Sequence, residues 1–457
     1  MKTLDLLQTG QLAGTRRLNL AAELTEFPME ILELADSLEI LDLSNNHLKR
    51  LPDEFRQLKK LKIVFLSNND FEEVPEVLSQ CPQLSMVGFK SNRITALPEN
   101  ALPPLVRWLI LTDNRLQQLP ASIGQLSRLQ KLMLAGNELR SLPDELANCQ
   151  NLELIRLAAN QLTALPVWLS TLPRLSWLAY AGNPFCDSSR LSSLPDTGLP
   201  DFDSSNPDLL HIKWTDLMLG EPLGQGASGI IYQGTWNSGV HQSVEVAIKL
   251  FKGEITSDGF PLDEMRACIA AGTHPNLVRV LGKVIHHPTH SAGLVFSFIP
   301  PRYKNLGGPP SLETCTRDTY PPDTAFTLPV ILRIAQGIAA ATAHLHARGI
   351  MHGDLYAHNI LVDETGESLL GDFGAACFYD PADRFLSRSL PSLEVRAFGC
   401  LLEDLLDRCR PAPDHPDQIK AIEHLRRLQQ DCMNPVPALR PLLPQICAAL
   451  AAFNNGS

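Results

Sequence analysis

The chain has 457 residues, which is too long for one ordinary domain, so two or three domains are expected. Its net charge of -11 at pH 7 argues against a nucleic-acid-binding surface. The ten cysteines stand singly, without a Cys-x-x-Cys pair, which argues against a zinc cluster or a disulfide framework and favours the reducing cytoplasm. No apolar leader follows Met1, and no run approaches the ~20 uncharged apolar residues of a membrane span. These features predict a soluble, cytoplasmic protein.

The first half of the chain is a repeat with the frame LxxLxLxxN, seen first as LEILDLSNN from Leu38. A degenerate earlier copy puts Glu23 in the asparagine position. Each copy offers a short strand whose leucines can share one core, and each asparagine can hydrogen-bond neighbouring turns. The asparagines recur every 23 residues, once after 22, at Asn46, Asn69, Asn92, Asn114, Asn137, Asn160 and Asn183. The prolines expected to start each return segment are Pro52, Pro75, Pro98, Pro120, Pro143 and Pro166.

This pattern resembles the leucine-rich repeat over residues 16–186, and it implies a solenoid domain, with its caps, at residues 1–205. The third and fifth frame positions should face away from the core, because side chains alternate along a strand. They are unusually apolar, which indicates a docking face for another protein or for the second half of this chain. Ordinary side-chain variation is the alternative. The apolar residues are Ile40, Ile63, Phe65, Met86, Trp108, Ile110, Met133, Leu154 and Trp177.

Residues 187–211 lose the repeat and are dominated by Ser, Asp and Pro, as in a capping segment or a linker. We therefore expect the domain boundary near residues 205–214.

A glycine cluster, Gly224-x-Gly226-x-x-Gly229, opens the second half. Rossmann folds share this spacing, but there the turn leads into a helix. Here Ile230-Ile231-Tyr232 favours another strand, and VEVAIKLF then places Lys249 on a β-branched strand. This order is typical of protein kinases.

Further motifs follow in the order of that family. Glu264 lies on a predicted helix, LVFSFI at 294–299 is typical of a strand and hinge, and His352-Gly353-Asp354 precedes Asn359 and Asp372-Phe373-Gly374. Residues 214–453 thus resemble a protein kinase, within a domain assigned to 206–457 with lobes at about 214–299 and 300–453. The predicted fold class is an α/β leucine-rich-repeat solenoid followed by an α+β bilobal protein-kinase-like domain, in a compact bacterial-like form.

The resemblance implies that ATP is the phosphoryl donor and that Mg²⁺, or Mn²⁺, is the cofactor. Asp354, Lys249 and Glu264 would be catalytic, and Asn359 and Asp372 would hold the metal ion. Phe296 would be the gatekeeper, with Ser297 and Ile299 supplying the hinge hydrogen bonds. The nucleotide-binding set would be Leu223, Gly224, Gly226, Gly229, Ile231, Ala247, Lys249, Ser297, Ile299 and Leu361.

The catalytic loop departs from the family at two positions. Gly353 replaces the arginine that usually pairs with an activation-loop phosphate, so switching by loop phosphorylation is not expected. Tyr356 replaces the lysine of serine/threonine kinases, and the arginine of tyrosine kinases is also missing. A protonated His358 would partly substitute for the missing charge.

The segment after Asp-Phe-Gly is short and contains no Ala-Pro-Glu. Glu394 is expected where kinases place the helix-F aspartate, and Arg440 is expected to lack its usual glutamate. The Pro-rich stretch 302–327 is interpreted as a loop beside the hinge, and a tolerated surface insertion without a function of its own is the favoured explanation of it.

Three functions fit these residues. The first is a cytoplasmic serine/threonine kinase that phosphorylates proteins, with repeats that select or restrain its targets. The second is a nucleotide-binding pseudokinase scaffold, and the third is a small-molecule phosphotransferase on a kinase-like fold. Retention of Lys249, Asp354, Asn359 and Asp372 favours an active enzyme, since a scaffold has no chemical need for all four.

Overall fold

The computed structural model describes residues 3–186, 209–239, 243–253, 255–410 and 416–454. Most of the expected linker, residues 187–208, therefore lies outside the described residues. The chain divides into two compact units, the first comprising Met1–Leu175 with Asn183–Phe185 and the second Ser176–Gly182 with Cys186–Ser457. The strand of the seventh repeat copy thus belongs to the second unit.

The first unit is a stack of short parallel strands that follows helix α1, Thr3–Gln8. Adjacent strands pair without a register shift, as at Ile40 and Ile63. Their central residues form the core, since Leu41 and Val64 are fully buried. The strands are β1 Arg17–Asn19, β2 Ile40–Asp42, β3 Ile63–Phe65, β4 Met86–Gly88, β5 Trp108–Ile110, β6 Lys131–Met133 and β7 Leu154–Arg156.

Short 3-10 helices return the chain on the convex side, each beginning directly after a proline. Proline suits this position because its fixed φ is already helical and its missing N–H is not needed there. In the 22-residue copy, the residues that follow Pro98 form turns instead of a helix. The 3-10 helices are Met29–Leu34, Asp53–Gln57, Glu76–Gln80, Ala121–Gln125, Asp144–Asn148 and Val167–Thr171.

The repeated asparagines bind neighbouring copies together through backbone hydrogen bonds. Asn69 is typical: its Oδ1 accepts the N–H of Leu48 at 2.9 Å, and its Nδ2 donates to the carbonyls of Leu43 and Leu66 at 3.0 and 3.1 Å. Its neighbour Asn68 has φ +52°, a left-handed turn conformation that asparagine tolerates well. The side chain thereby satisfies buried turn groups that would otherwise be costly, as the sequence predicted.

The second unit begins with strand β8, Trp177–Ala179, and its upper lobe is a six-stranded sheet accompanied by helix α2, Pro261–Ala271. The strands of this sheet are β9 Leu210–Lys213, β10 Leu217–Gln225, β11 Gly229–Asn237, β12 Ser243–Phe251, β13 Val280–Ile285 and β14 Gly293–Ser297. Their order in the sheet is β10-β11-β12-β14-β13-β9. Strand β9 pairs in parallel with β13, so the sheet begins before the predicted start at residue 214.

The lower lobe is mainly helical, and its helices are α3 Leu328–Ala347, α4 Leu386–Asp407, α5 Pro416–Cys432 and α6 Leu443–Ala451. Helix α3 is long and apolar enough to cross a membrane by length and composition alone, yet 56% of its most apolar window is buried inside the protein. The helical core of this lobe therefore accounts for its composition. Short strands complete the lobe: β15 Lys304–Asn305, β16 Ile350–Met351, β17 Ile360–Val362, β18 Ser368–Leu370 and β19 Cys377–Phe378.

The predicted fold class is confirmed, with a repeat unit first and a bilobal α+β unit second.

Candidate active site

The glycine cluster forms a turn between β10 and β11. A side chain at Gly229 would collide with the carbonyl oxygen of Leu250, so glycine is required there by packing. A Cβ at Gly224 or Gly226 would meet no atom within 4 Å. Because nothing inside the protein demands glycine at those two positions, they form an open backbone cradle of the kind that admits phosphates.

Two apolar residues of the predicted nucleotide-binding set, Leu223 and Ile231, lie beside this cradle. Leu223 is 52% exposed and Ile231 is 36% exposed, both high values for large apolar side chains on strands. Ile231 stands opposite Lys249 in the register of β11 and β12. An apolar roof next to a cation suits the base and phosphates of a nucleotide.

Lys249 forms a buried ion pair with Glu264. Lys249 comes from β12, and Glu264 comes from the first turn of α2 and is only 3% exposed. Burial acts to lower the pKa of Lys249, but the facing carboxylate of Glu264 outweighs it and the pKa is raised. The lysine therefore stays protonated, and the helix is held against the sheet.

The hinge follows strand β14. Ala247 lies opposite Phe296, the predicted gatekeeper, in the register of β12 and β14. The N–H of Ser297 donates to the carbonyl of Arg279 at 3.0 Å, so this N–H is not free for the hinge hydrogen bond expected from the resemblance. Ile299 is half-buried just beyond the strand. Leu361, the last residue of the predicted nucleotide-binding set, is half-buried on β17 of the lower lobe.

His352 ties the catalytic loop to the Asp-Phe-Gly segment. Its Nδ1 accepts the N–H of Asp354 at 3.3 Å, so the ring proton is on Nε2, which donates to the carbonyl of Gly371 at 2.9 Å. The imidazole also lies 5.2 Å, centroid to centroid, from the buried ring of Phe373. This fully buried histidine thus has a structural role.

Asp354, Asn359 and Asp372 supply oxygen atoms around the cleft. Asn359 Nδ2 donates to the carbonyl and to Oδ2 of Asp354, both at 2.9 Å. Asp372 is exposed, has φ +54°, and accepts the N–H of Gly374 at 3.1 Å on Oδ1. In the described part of the chain, no group of three or more His, Cys, Asp or Glu side chains forms a ready metal site. An Asn–Asp pair completed by phosphate oxygens nevertheless fits Mg²⁺.

Glu394 on α4 supports the catalytic loop from below. Its carboxylate accepts the N–H of His352 at 3.2 Å, the N–H of Gly353 at 2.8 Å and Nε2 of His346 at 2.7 Å. Burial acts to raise the pKa of Glu394, but these donors, led by His346, outweigh it and lower the pKa. The glutamate occupies the supporting position expected from the sequence. Arg440 donates instead to the carbonyls of Ser392 and Asn434.

The interpretation of 302–327 as a tolerated surface insertion is wrong. Asp318 is buried, and its carboxylate accepts the N–H of Ala357 at 2.6 Å and pairs with Nδ1 of His358 at 2.6 Å. The neighbouring Arg317 forms ion pairs with Glu403 and Asp404 on α4, each at 2.7 Å. The insertion therefore fastens the end of the catalytic loop to the helical core.

His358 carries positive charge more readily than an ordinary histidine. Burial acts to lower its pKa, but the hydrogen bond and charge of Asp318 outweigh burial, and the pKa is raised. The sequence predicted a charge substitute at this position, and the structure shows that Asp318 favours the protonated form. The sequence of the irregular insertion did not indicate that Asp318 would pair with His358.

Five of the nine predicted docking-face residues are not available at the surface. Neighbouring strands lie ~4.8 Å apart, so large side chains in one row cover one another. Trp177 is 1% exposed for a different reason, since it packs on the catalytic loop within the second unit. The buried five are Ile63, Met86, Met133, Leu154 and Trp177. The partly exposed four are Ile40, Phe65, Trp108 and Ile110.

The contacts of Ser176, Tyr180 and Arg396 could not be predicted, because their partners are distant in sequence. Tyr180 is buried, and Arg396 donates to Ser176 Oγ at 2.7 Å. The local signal is confined to a tyrosine where the repeat frame has a core leucine.

A sheet lobe that carries a Lys–Glu pair, followed by a helical lobe that carries this catalytic loop and metal-ligand pair, defines a protein-kinase domain. Comparison with known families agrees. Residues 217–396 match the protein tyrosine and serine/threonine kinase family, and residues 36–94, 104–162 and 127–185 match the leucine-rich repeat. The chain is therefore an N-terminal leucine-rich-repeat region joined to a C-terminal protein-kinase domain.

Several kinases resemble the second unit. The chain is 33% identical over 197 residues to the probable serine/threonine-protein kinase kinY of Dictyostelium discoideum, which is 40% of this chain and 31% of that protein. It is 32% identical over 169 residues to the tyrosine-protein kinase ABL2 of Mus musculus, which is 36% of this chain and 13% of that protein. The similarity thus covers less than a third of each relative and includes both acceptor specificities.

Proposed function

We propose that this protein transfers the γ-phosphoryl group of ATP to a serine or threonine hydroxyl of a protein. The observation that carries the proposal is the assembled state of the site. The Lys249–Glu264 pair is closed, and Asp372 lies close enough to Lys249 for its charge to help raise the pKa of the lysine. Gly371, the residue before Asp372, donates its N–H to the carbonyl of Asn359 at 3.0 Å, and Asn359 in turn donates to Asp354. Active protein kinases need both of these arrangements at once.

The charges suit the reaction. Phosphoryl transfer passes through a loose, anionic transition state, so catalysis depends on positioning and on charge stabilisation. The protonated Lys249 would neutralise the α- and β-phosphates, and the open space at Gly224 and Gly226 would let the phosphates approach the backbone. A bound Mg²⁺, held by Asn359 and Asp372, would neutralise phosphate charge.

Asp354 would receive the acceptor hydroxyl. Asn359 holds its carboxylate through Nδ2, which orients Asp354 before substrate arrives. The carboxylate would accept the hydroxyl's hydrogen bond and direct the oxygen toward phosphorus. The absence of the tyrosine-kinase arginine from this loop, together with the similarity to a probable serine/threonine kinase, supports serine or threonine as the acceptor.

A pseudokinase scaffold is the second candidate, and one observation favours it. Tyr356 takes the position of a catalytic lysine and is buried, with its ring stacked on Trp177 at 4.3 Å between centroids. It therefore brings no charge to the γ-phosphate. A protonated His358 two residues further along is the remaining cation of the loop.

For the repeats we propose a docking role centred on Phe65, Trp108 and Ile110. A Cβ at Gly88 would approach Phe65 to 2.7 Å and Ile110 to 3.7 Å, so the phenyl ring lies over the glycine toward Ile110. Phe65 and Ile110 thus form an apolar strip, which Trp108 on the same strand as Ile110 extends, with the ammonium of Lys131 4.3 Å from its ring centroid. Such a strip suits an apolar side chain of a protein substrate. We also propose a cytoplasmic location, which the singly spaced cysteines support.

The test is transfer from radiolabelled ATP with Mg²⁺ to peptide libraries that fix Ser, Thr or Tyr at the acceptor position. The proposal expects label on Ser or Thr peptides and none with the Asp354→Asn protein. Label on Tyr peptides alone would contradict the acceptor assignment. Nucleotide binding without any transfer would favour the scaffold, and transfer only to small hydroxyl compounds would favour a small-molecule phosphotransferase.

A further inference from the structure

The segment Ser176–Gly182 lies in the second compact unit, although the sequence pattern counts it as the strand of the seventh repeat. It contains two aromatic residues, Trp177 and Tyr180, and both are 1% exposed. Trp177 stands at an outward position of the repeat frame, so its burial needs a partner surface. Their contacts lead to the catalytic loop and to the segment after Asp-Phe-Gly.

Trp177 contacts the catalytic loop in two ways. Its indole Nε1–H donates to the carbonyl of Leu355 at 3.0 Å. Its ring lies 4.3 Å from the ring of Tyr356 with only 8° between the planes, which is a stacked arrangement. These two residues directly follow Asp354 in sequence, so Trp177 fixes the backbone on one side of the catalytic aspartate.

The backbone of the same segment closes over Gly353. This residue has φ +73°, and a Cβ added to it would lie 2.6 Å from the carbonyl oxygen of Leu178 and 2.5 Å from that of Ala375. A side chain at this position is excluded twice, by conformation and by contact. Glycine therefore fits at position 353 next to this segment, whereas the usual arginine would not.

Tyr180 and Ser176 extend the contacts to two further elements. The N–H of Tyr180 donates to Cys377 Sγ at 3.0 Å, and its hydroxyl donates to the carbonyl of Phe378 at 3.1 Å. At the other end of the segment, Arg396 on α4 donates to Ser176 Oγ at 2.7 Å. The segment thus joins the catalytic loop, strand β19 and helix α4 through buried polar contacts.

The segment that follows Asp-Phe-Gly is short. Only residues 375–385 separate Gly374 from the start of α4. In protein kinases, phosphorylation of a longer loop brings the Lys–Glu pair and the Asp-Phe-Gly aspartate into place. Here Phe373 is buried and the Lys249–Glu264 pair is closed.

We propose that Ser176–Gly182 holds the catalytic loop in its working arrangement, in place of a phosphorylated activation loop, and that Trp177 is the positioning residue. The proposal rests on the proposed kinase activity. It implies that the enzyme is active as synthesised, because the fastening segment is part of the same chain. The segment acts on the loop and does not touch the nucleotide.

Kinetics of the full chain test this directly. Trp177→Phe keeps a ring against Tyr356 but leaves the buried Leu355 carbonyl without its donor, so kcat should fall about tenfold. KM for ATP should not change, and Trp177→Ala should lose more because stacking is lost as well. Trp168→Phe, a substitution in the last convex 3-10 helix, is the matched control and should retain wild-type kcat. Unchanged or increased kcat in folded Trp177→Phe would overturn the proposal, the increase showing that the segment restrains the enzyme.

Two further measurements separate this proposal from the proposed function. Treatment of the wild-type protein with a phosphatase should leave kcat unchanged, and a loss of activity would overturn the idea that the segment replaces a phosphate. Amide hydrogen exchange needs no catalysis: Trp177→Phe should accelerate exchange in residues 352–359 and Trp168→Phe should not. Faster exchange in a protein that never transfers phosphate would retain the positioning role and reject the kinase function. Equal exchange in the two variants would reject the positioning role.

Discussion

The side-chain amide of Asn359 donates two hydrogen bonds to Asp354, one to the carbonyl and one to Oδ2, each at 2.9 Å. The amide nitrogen is thus committed to the aspartate, and Oδ1 remains for a cation. One side chain therefore connects the proposed acceptor site to the proposed metal site. Mutations at Asp354 should therefore affect transfer to the acceptor, and mutations of the metal ligands should affect the requirement for the cation.

Asp354→Ala should lower kcat about a thousandfold, because general-base positioning contributes 10²–10⁴-fold in comparable enzymes. Nucleotide affinity should stay near the wild-type value, since Asp354 orients the hydroxyl and not the phosphates. Fluorescent-nucleotide binding and peptide phosphorylation measure the two effects separately. Asp323→Ala, at an exposed position of the insertion, is the control. Wild-type rates in the Asp354→Ala protein would show that the catalytic loop is wrongly assigned.

Activity should require a divalent cation and disappear in chelator, because Asn359 and Asp372 supply hard oxygen ligands. Asp372→Asn removes the charged ligand, so the Mg²⁺ concentration for half-maximal rate should rise at least about tenfold. Magnesium titrations of both proteins at fixed ATP measure this change. Full activity of the wild-type protein in chelator would disprove the metal assignment.

The pair of His358 and Asp318 should make loop stability depend on pH. The folded pKa of His358 is raised above its ordinary value of 6.5, so the pair stabilises fully below about pH 6.5 and loses its contribution as pH rises through the folded pKa. Asp318→Asn should return the His358 pKa toward or below 6.5. Proton NMR titration of the imidazole measures the shift, with exposed His211 as an internal control. An identical His358 titration in both proteins would rule out the coupling.

Glu394 should stabilise the fold with the opposite pH dependence. Its folded pKa is lowered from 4.5, so its contribution is present above about pH 4.5 and is lost as pH falls through the folded pKa. Glu394→Gln should lower the free energy of unfolding at pH 7 by about 1.5–3 kcal/mol, the value of charge-assisted hydrogen bonds. Glu394→Asp, which keeps the charge, should lose less. Denaturant unfolding at pH 7 and pH 4 would reveal whether the expected difference shrinks at the lower pH.

The apolar strip of the repeats gives a prediction about substrates. Trp108→Ala should weaken phosphorylation of a docked protein substrate and leave phosphorylation of a short generic peptide unchanged, since aromatic anchors dominate interfaces. An autoinhibitory strip would instead raise both rates. Val167→Ala is the control, because that side chain is 66% exposed on the convex side. If neither rate nor partner affinity changes in a folded Trp108→Ala protein, the strip is ordinary surface.

The sequence was enough to predict the features that depend on short motifs or on a strict repeat period. Lys249, Asp354 and Asn359 stand at spacings that chemistry fixes, and the repeat places each strand within a few residues. The Glu264 pairing was also predictable, because one helix in the upper lobe carries a glutamate at the right distance from the lysine strand.

Long-range packing was not predictable in the same way. Trp177 obeys the repeat period perfectly, so the pattern assigned it to an open face, whereas a contact to Leu355 at a separation of 178 residues buries it. Asp318 lies in an irregular segment, where composition indicates a loop but no period indicates a direction. Both residues contact the catalytic loop, but the sequence around each of them gives no indication of that contact.

Because Ser176–Gly182 belongs to the second unit, the kinase domain cannot be cut from the repeats at the border that the sequence suggests. A gene fragment that began at residue 206, where the sequence suggests a domain border, would encode a lower lobe that lacks Trp177 and Tyr180. Removing a buried tryptophan typically costs about 3–5 kcal/mol, a large part of the stability of an ordinary domain. The two halves are therefore not free to be recombined with other partners as independent modules. Recombination that preserves the kinase must carry the last repeat strand along with it.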